Sequence, residues 1–291
     1  MRFLNSTMAE NIMAVLMTTA ILTVVPVAFA QGPPSYPPDE LERLVSRIAL
    51  YPDPLLAQVL AAATFGAEIP DAARWADQHH YLNGDALART IAEDRLPWDP
   101  SVQALLPFPS VLDMMARDPG WTNAIGNAFL SQREDVMEAV QRMRRRARDY
   151  GYLRSGGQII VSNGPYIEIQ PANPGFVVVP YYDPLVVYAR PRPGFFVGGA
   201  INFGFGVSIG PAFRPWGWGG NRVVWNTHTV IINNSNWNRT WVNRTTYAHP
   251  YTVQRYAGPR VEERHEIHER SEREREAERS GRERREEHDR R

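Results

Sequence analysis

The sequence predicts an α+β fold: an N-terminal bundle of short helices, a small antiparallel β region, a Gly/aromatic-rich segment and a charged, mostly disordered C-terminal tail. Three observations carry this prediction. Apolar residues recur at helical spacing from about residue 39 to 150, and Asp-Pro pairs mark helix starts within that stretch. After residue 158, short runs of β-branched and aromatic residues alternate with Gly- and Pro-containing turns, a pattern that favours strands.

Residues 1–30 are typical of a secretory signal peptide. An apolar run over residues 12–25 is too short to span a bilayer comfortably, and Ala28 and Ala30 are the small residues that a signal peptidase requires before a mature chain starting at Gln31. We therefore expect export to the periplasm or outer envelope. An uncleaved anchor is the alternative, because the stretch before the apolar run carries little positive charge.

Composition excludes several classes of site. Hydrophobic residues make up 43% of the chain, enough for a substantial core, and there are no cysteines, so neither disulfides nor thiolate metal sites are available. All 32 basic residues are arginine, which excludes a P-loop lysine or a Schiff-base lysine. The formal net charge of zero gives no reason to expect a nucleic-acid partner.

The helical domain is predicted over residues 39–153, after a Pro-rich linker at 31–38. Its helix starts follow from capping chemistry, since a short acceptor side chain followed by proline is typical of the first helical turn. Asp39 with Glu42 has the spacing of a capping box. The other predicted helix starts are Asp53 with Pro54, Asp99 with Pro100, and Asp118 with Pro119.

The β region is predicted over residues 158–190. Its strand candidates cover residues 158–162, 166–170, 176–179 and 185–188. Asp183 and Pro184 are predicted to form the turn before the last of these strands.

The segment 194–257 is rich in Gly, Trp and Asn. Its first twenty residues, 194–213, carry no charge, and their centre alternates between large apolar and small or polar residues, which favours a strand with one apolar face. We expect this face to mediate self-association, binding to an envelope protein or surface, or peripheral membrane contact. The predicted surface consists of Ile201, Phe203, Phe205, Val207, Ile209, Trp216 and Trp218. The alternative is a membrane protein with residues 194–213 inserted in the bilayer as a helix.

The segment 258–291 is composed almost entirely of Arg and Glu. Oppositely charged residues three or four positions apart support a solvent-exposed helix, but no apolar stripe exists to dock one. A disordered or frayed helical tail is predicted, with a partner-binding helix as the alternative.

Three long motifs give the chain a family resemblance. Residues 47–62 (RIALYPDPLLAQVLAA), 98–109 (WDPSVQALLPFP) and 178–184 (VVPYYDP) resemble, in this order, the bacterial domain-of-unknown-function 3300 family. The resemblance implies an exported or membrane-associated envelope protein. It implies no activity, cofactor or catalytic residue.

The residues that could carry chemistry are better explained as structure. The Asp-Pro pairs could supply paired carboxylates, and an envelope hydrolase using Asp53 or Asp99 is one hypothesis, but their positions are those of helix caps and turns. The seven histidines have no metal-ligand spacing, so no metal or other cofactor is predicted. The prediction is a non-enzymatic structural or interaction module.

Overall fold

The computed structural model describes residues 32–191, 199–204 and 206–251. The predicted signal peptide, Phe205 and the predicted tail 258–291 lie outside the described residues. The described chain from Pro33 onward belongs to one compact unit. Its α-helices are α1 Pro38–Val45, α2 Asp53–Ala63, α3 Ile69–Gln78, α4 Gly84–Asp94, α5 Pro100–Gln103, α6 Pro109–Arg117, α7 Pro119–Ser131, α8 Arg133–Asp149 and α9 Pro184–Val187.

Two of the predicted caps start helices. Asp99 accepts a hydrogen bond from the Ser101 amide at 2.9 Å, and Asp118 accepts one from the Trp121 amide at 3.0 Å. Asp39 and Asp53 do not cap, so those two predictions are wrong. Asp39 lies inside the first turn of α1, whose N-cap is Pro37, because Pro38 already occupies the first helical position.

Asp53 is the first residue of α2, and Pro52 is the N-cap residue. The Asp53 carboxylate turns into the core instead of back toward its own helix. It binds Arg144 and Trp225 there, contacts of high sequence separation that local capping rules do not foresee.

The strands follow α8, with α9 between β4 and β5. All the described strand pairs are antiparallel: β1 on β2, β3 on β6, β4 on β5, and β7, β8 and β9 in one three-stranded sheet. Their bounds are β1 Ile159–Val161, β2 Ile169–Pro171, β3 Phe176–Val177, β4 Pro180–Tyr182, β5 Ile201–Phe203, β6 Val207–Ser208, β7 Arg222–Val224, β8 Thr229–Ile232 and β9 Ser235–Asn236. The predicted α+β class is confirmed.

The strand predicted at 185–188 is wrong. Asp183 accepts the Leu185 amide at 2.8 Å and Pro184 takes the first helical position, so the segment forms the short helix α9. The sequence device that starts α5 and α7 operates here as well.

The alternation around β5 and β6 has a packing explanation. Gly204 lies under the ring of Tyr181, and a Cβ atom added to Gly204 would come within 3.0 Å of that ring. A Cβ atom added to Gly206 would lie 3.3 Å from the Cβ of Phe176. The small residues therefore make room for two aromatic side chains of the paired strands. Because the described part of 194–213 forms these strands and a 3-10 helix, the inserted-helix alternative is wrong for that part. Across the described ranges, no helix has the length and apolar character needed to cross a membrane.

The segment 194–257, here named the Asn/Trp-rich segment, packs against the helices through its described residues. Phe213, Trp216, Trp225 and Trp237 are buried in the same hydrophobic cluster as the apolar faces of α1 to α8. Trp237 stacks on Phe129 of α7 with ring centroids 5.3 Å apart. A segment too poor in aliphatic residues for a core of its own thus completes the core of the helical region.

Candidate functional site

A buried ion pair joins α2 to α8. The guanidinium of Arg144 contacts the Asp53 carboxylate at 2.6 Å, and neither side chain has any solvent exposure. Arg144 also donates to the backbone carbonyls of Ala49, Tyr51 and Ile167 at 2.8 to 2.9 Å. Its guanidinium carbon lies 4.8 Å from the ring centre of Trp225.

The Asp53 carboxylate is fully engaged. One oxygen accepts from Arg144, and the other accepts the indole N–H of Trp225 at 2.9 Å. Burial raises the pKa of Asp53, while the charge of Arg144 and the Trp225 hydrogen bond oppose that shift. A carboxylate with no solvent exposure and all its partners in place has no room for a substrate, so this pair belongs to the packing of the core.

Asp99 belongs to a second polar cluster. Its carboxylate lies 2.6 and 2.7 Å from the Nε2 of His249 and also accepts from the amide and hydroxyl of Ser101. Glu68 accepts the Asp99 amide at 2.6 Å, and burial is the main cause that raises the pKa of Glu68. The Asp99 carboxylate is thus held by Ser101 and His249, as expected for a carboxylate that caps α5 and anchors the segment around His249.

This second cluster carries buried polar atoms without a partner among the described residues. They include Nδ1 of His249 and the hydroxyls of Tyr247 and Tyr251. Burial raises the pKa of Tyr247 to about 12, so this phenol stays neutral at physiological pH. Within the described residues, no group of three or more His, Asp or Glu side chains is arranged to hold a metal ion.

An open cleft lies between α6 and β4 and is here named the α6–β4 cleft. Its inner part, about 240 Å³, is lined by Arg47, Tyr51, Ser110, Met114, Val179, Pro180, Tyr181, Tyr182 and Pro184. An outer part of about 410 Å³ shares Arg47, Ser110, Met114 and Tyr181 and adds Asp113, Arg117 and Asp118.

The α6–β4 cleft combines an apolar floor with hydrogen-bonding edges. Met114, Val179 and the two prolines supply the floor, and Tyr181 stands 48% exposed at its side. Burial raises the pKa of the Tyr51 hydroxyl, so it offers a neutral phenol to a ligand. Aromatic and apolar side chains beside a few polar groups are typical of the lining of a binding site.

Two ion pairs form the rim of the cleft. Arg47 contacts Asp118 at 2.9 Å and Arg117 contacts Asp113 at 3.4 Å, and all four side chains are substantially exposed. Exposed pairs of this kind stabilise by only about 0–1 kcal/mol, so a ligand can displace either of them at low cost.

The described residues of the interaction surface predicted from the sequence do not line the α6–β4 cleft. Trp216 is buried and donates its indole N–H to Gln103, while Trp218 is half-buried and donates to the Ala104 carbonyl. The described large residues of the alternating stretch are half-buried against the two cores, and Phe205 lies outside the described residues. The site that sequence reasoning missed centres on Tyr181, and its signal was a tyrosine next to a proline in a strand, since proline marks a strand edge.

Comparison with known proteins places these residues in a family. The sequence profile of the family described as Protein of unknown function (DUF3300) matches residues 37–256. The chain is also 32% identical over 204 aligned residues to the uncharacterized protein YacH of Escherichia coli (strain K12). That similarity covers 59% of this chain and 33% of YacH, so the chain spans about a third of the length of this relative. No solved structure matches.

Proposed function

The chain belongs to the DUF3300 family of proteins of unknown function, and we propose that it is an exported cell-envelope protein whose folded part is a non-enzymatic interaction module. The observation that carries this proposal is the α6–β4 cleft. The cleft is open, apolar at its floor and polar at its rim, and two of the three family motifs contribute to it through Arg47, Tyr51 and the stretch 179–184.

The carboxylates support binding over hydrolysis. A hydrolase needs an acid or base that a substrate can reach, and Asp53 is sealed in the core while Asp99 is held by Ser101 and His249. Asp118 lies at the cleft, but it caps α7 and pairs with Arg47, and the amide of Trp121 is the main cause that lowers its pKa. Such an acid remains ionised and cannot serve as a proton donor near neutral pH.

Export is the second part of the proposal. The mature chain is expected to begin at Gln31, because Ala28 and Ala30 fit a signal peptidase site. N-terminal sequencing of the chain recovered from the periplasmic or outer-membrane fraction should therefore return Gln31 as the first residue. Recovery of a chain that still carries the apolar run 12–25 at its N-terminus would contradict cleavage and favour an anchored protein.

The cleft predicts a contact that can be trapped in cells. With the photoreactive residue p-benzoylphenylalanine in place of Tyr181, irradiation of intact cells should give a crosslinked species of discrete mass, because the ring stands at the side of the cleft. Gel mobility and mass spectrometry of the adduct are the measurements.

The matched control is Tyr81. This tyrosine is 67% exposed and lies between α3 and α4, and it is not among the residues that line the α6–β4 cleft. The same photoreactive residue at position 81 should give no such species. Identical crosslinking patterns from the two positions would mean that the cleft has no special role.

A further inference from the structure

With the α6–β4 cleft as the binding site proposed above, the backbone of β4 indicates the chemical class of its ligand. Strand β4 pairs with β5 in the register Pro180 with Phe203, Tyr181 with Asn202 and Tyr182 with Ile201. One step further along, the amide of Gly204 donates to the Val179 carbonyl at 3.4 Å, which shows that the carbonyl of Val179 points toward β5.

Hydrogen-bonded and non-hydrogen-bonded pairs alternate along an antiparallel ladder. Val179 and Tyr181 therefore direct their backbone groups toward β5, while Pro180 and Tyr182 direct theirs to the opposite edge of β4. The position of Pro180 agrees with this alternation, because proline has no N–H to give to a partner strand and is tolerated where its nitrogen faces an edge.

The opposite edge of β4 opens on the α6–β4 cleft. The cleft is lined by the four consecutive residues 179–182 and by no residue of β5. A groove over the face of the sheet would be lined by every second residue of β4 and by β5 as well, because successive side chains point to opposite faces. The groove thus runs along the edge, with Ser110 and Met114 of α6 as its other wall.

That edge carries three backbone groups to which no described residue is bonded: the Pro180 carbonyl and the N–H and carbonyl of Tyr182. A strand laid antiparallel along β4 would bond all three. Its residue opposite Tyr182 would both donate and accept, and its residue opposite Pro180 would donate.

We propose that the α6–β4 cleft binds an extended polypeptide segment of another envelope protein by adding it as a strand to the edge of β4. Each arginine of the rim is paired with an aspartate, so charge complementarity selects a segment without net charge. The floor formed by Met114, Val179 and Pro184 suits an aliphatic side chain between the backbone contacts. Backbone bonds give such a segment its affinity, and the floor gives it specificity.

The test uses the full mature chain and a displayed library of random peptides. Peptides are selected on the chain and counter-selected on Ser110→Trp, whose larger side chain fills the cleft and whose fold is checked by circular dichroism. A selected peptide is then synthesised with one N-methyl group at each position in turn. Strand addition predicts a loss of affinity of roughly tenfold or more at two positions separated by one tolerant position, since only alternate N–H groups donate to β4.

The other outcomes are separable. A peptide that binds the chain but not Ser110→Trp, and that tolerates N-methylation without this period, would leave the cleft as a ligand site and overturn strand addition. Failure to select any peptide sensitive to Ser110→Trp, with a crosslinked partner still found at residue 181, would overturn the polypeptide class but not the interaction module. Competition of the selected peptide by added Ser110→Trp chain, whose own cleft is filled and cannot take up the peptide, would identify the occupant as a second copy and overturn the partner named above.

Discussion

Replacing Arg144 with methionine is expected to lower the free energy of unfolding by about 3–5 kcal/mol, because it leaves the buried Asp53 carboxyl group without its cation. Three backbone carbonyls, those of Ala49, Tyr51 and Ile167, lose their donor at the same time. Methionine keeps much of the side-chain volume, so the loss reports the missing charge and hydrogen bonds more than a cavity. Urea denaturation of the mature chain measures it.

Arg145→Met is the matched control for Arg144→Met. Arg145 is the next residue of α8 and is partly exposed, so its replacement should change the free energy of unfolding by no more than about 0.5 kcal/mol. The double variant Asp53→Asn with Arg144→Met should lose less free energy of unfolding than the sum of the losses of the two single variants, because it removes the unpaired carboxyl group as well. Equal losses from Arg144→Met and Arg145→Met would refute the role given to the buried pair.

Trp237→Ala is also expected to lower the free energy of unfolding by about 3–5 kcal/mol. The side chain is 1% exposed, stacks on Phe129 and lies under the guanidinium of Arg133, with 5.1 Å between the guanidinium carbon and the ring centre. Removing it opens a cavity at the point where the Asn/Trp-rich segment meets α7 and α8. The midpoint of thermal or urea unfolding should fall accordingly.

Val242→Ala tests whether the effect of Trp237→Ala is specific. Val242 belongs to the same segment but is 90% exposed, so its truncation should be nearly neutral. If Trp237→Ala proved as mild as Val242→Ala, the Asn/Trp-rich segment would not be part of the core.

Local chemistry was enough to predict much of the helical region. Asp99 and Asp118 start helices where a short acceptor precedes proline, and the apolar spacing after Asp118 gives the buried face of α7. The same rule, applied to Asp183, would have predicted α9 in place of a strand. The β-branched residues after Pro184 favour a strand by propensity alone. Strand propensity depends strongly on context, and here the cap at Asp183 decides for a helix.

Contacts between distant parts of the chain could not be predicted in this way. Asp53 has the sequence context of a cap. Its carboxylate points into the core because it binds Arg144 and Trp225, which are 91 and 172 positions away in the sequence. The Gly204 and Gly206 pattern predicts a strand with one apolar face, whereas the small positions of that strand accept the side chains of Tyr181 and Phe176 from the paired strands. The α6–β4 cleft likewise depends on how α6 and β4 meet.

The central claim, that the α6–β4 cleft is where this protein holds its partner, can be tested with a single thiol, because the chain has no cysteines of its own. Ser110→Cys places that thiol in the cleft wall, and Tyr81→Cys places it on the exposed turn used as the control. We predict that maleimide labels position 110 much more slowly in the intact envelope than in the purified chain, while position 81 labels equally in both. Equal labelling of position 110 in the two settings would contradict the account.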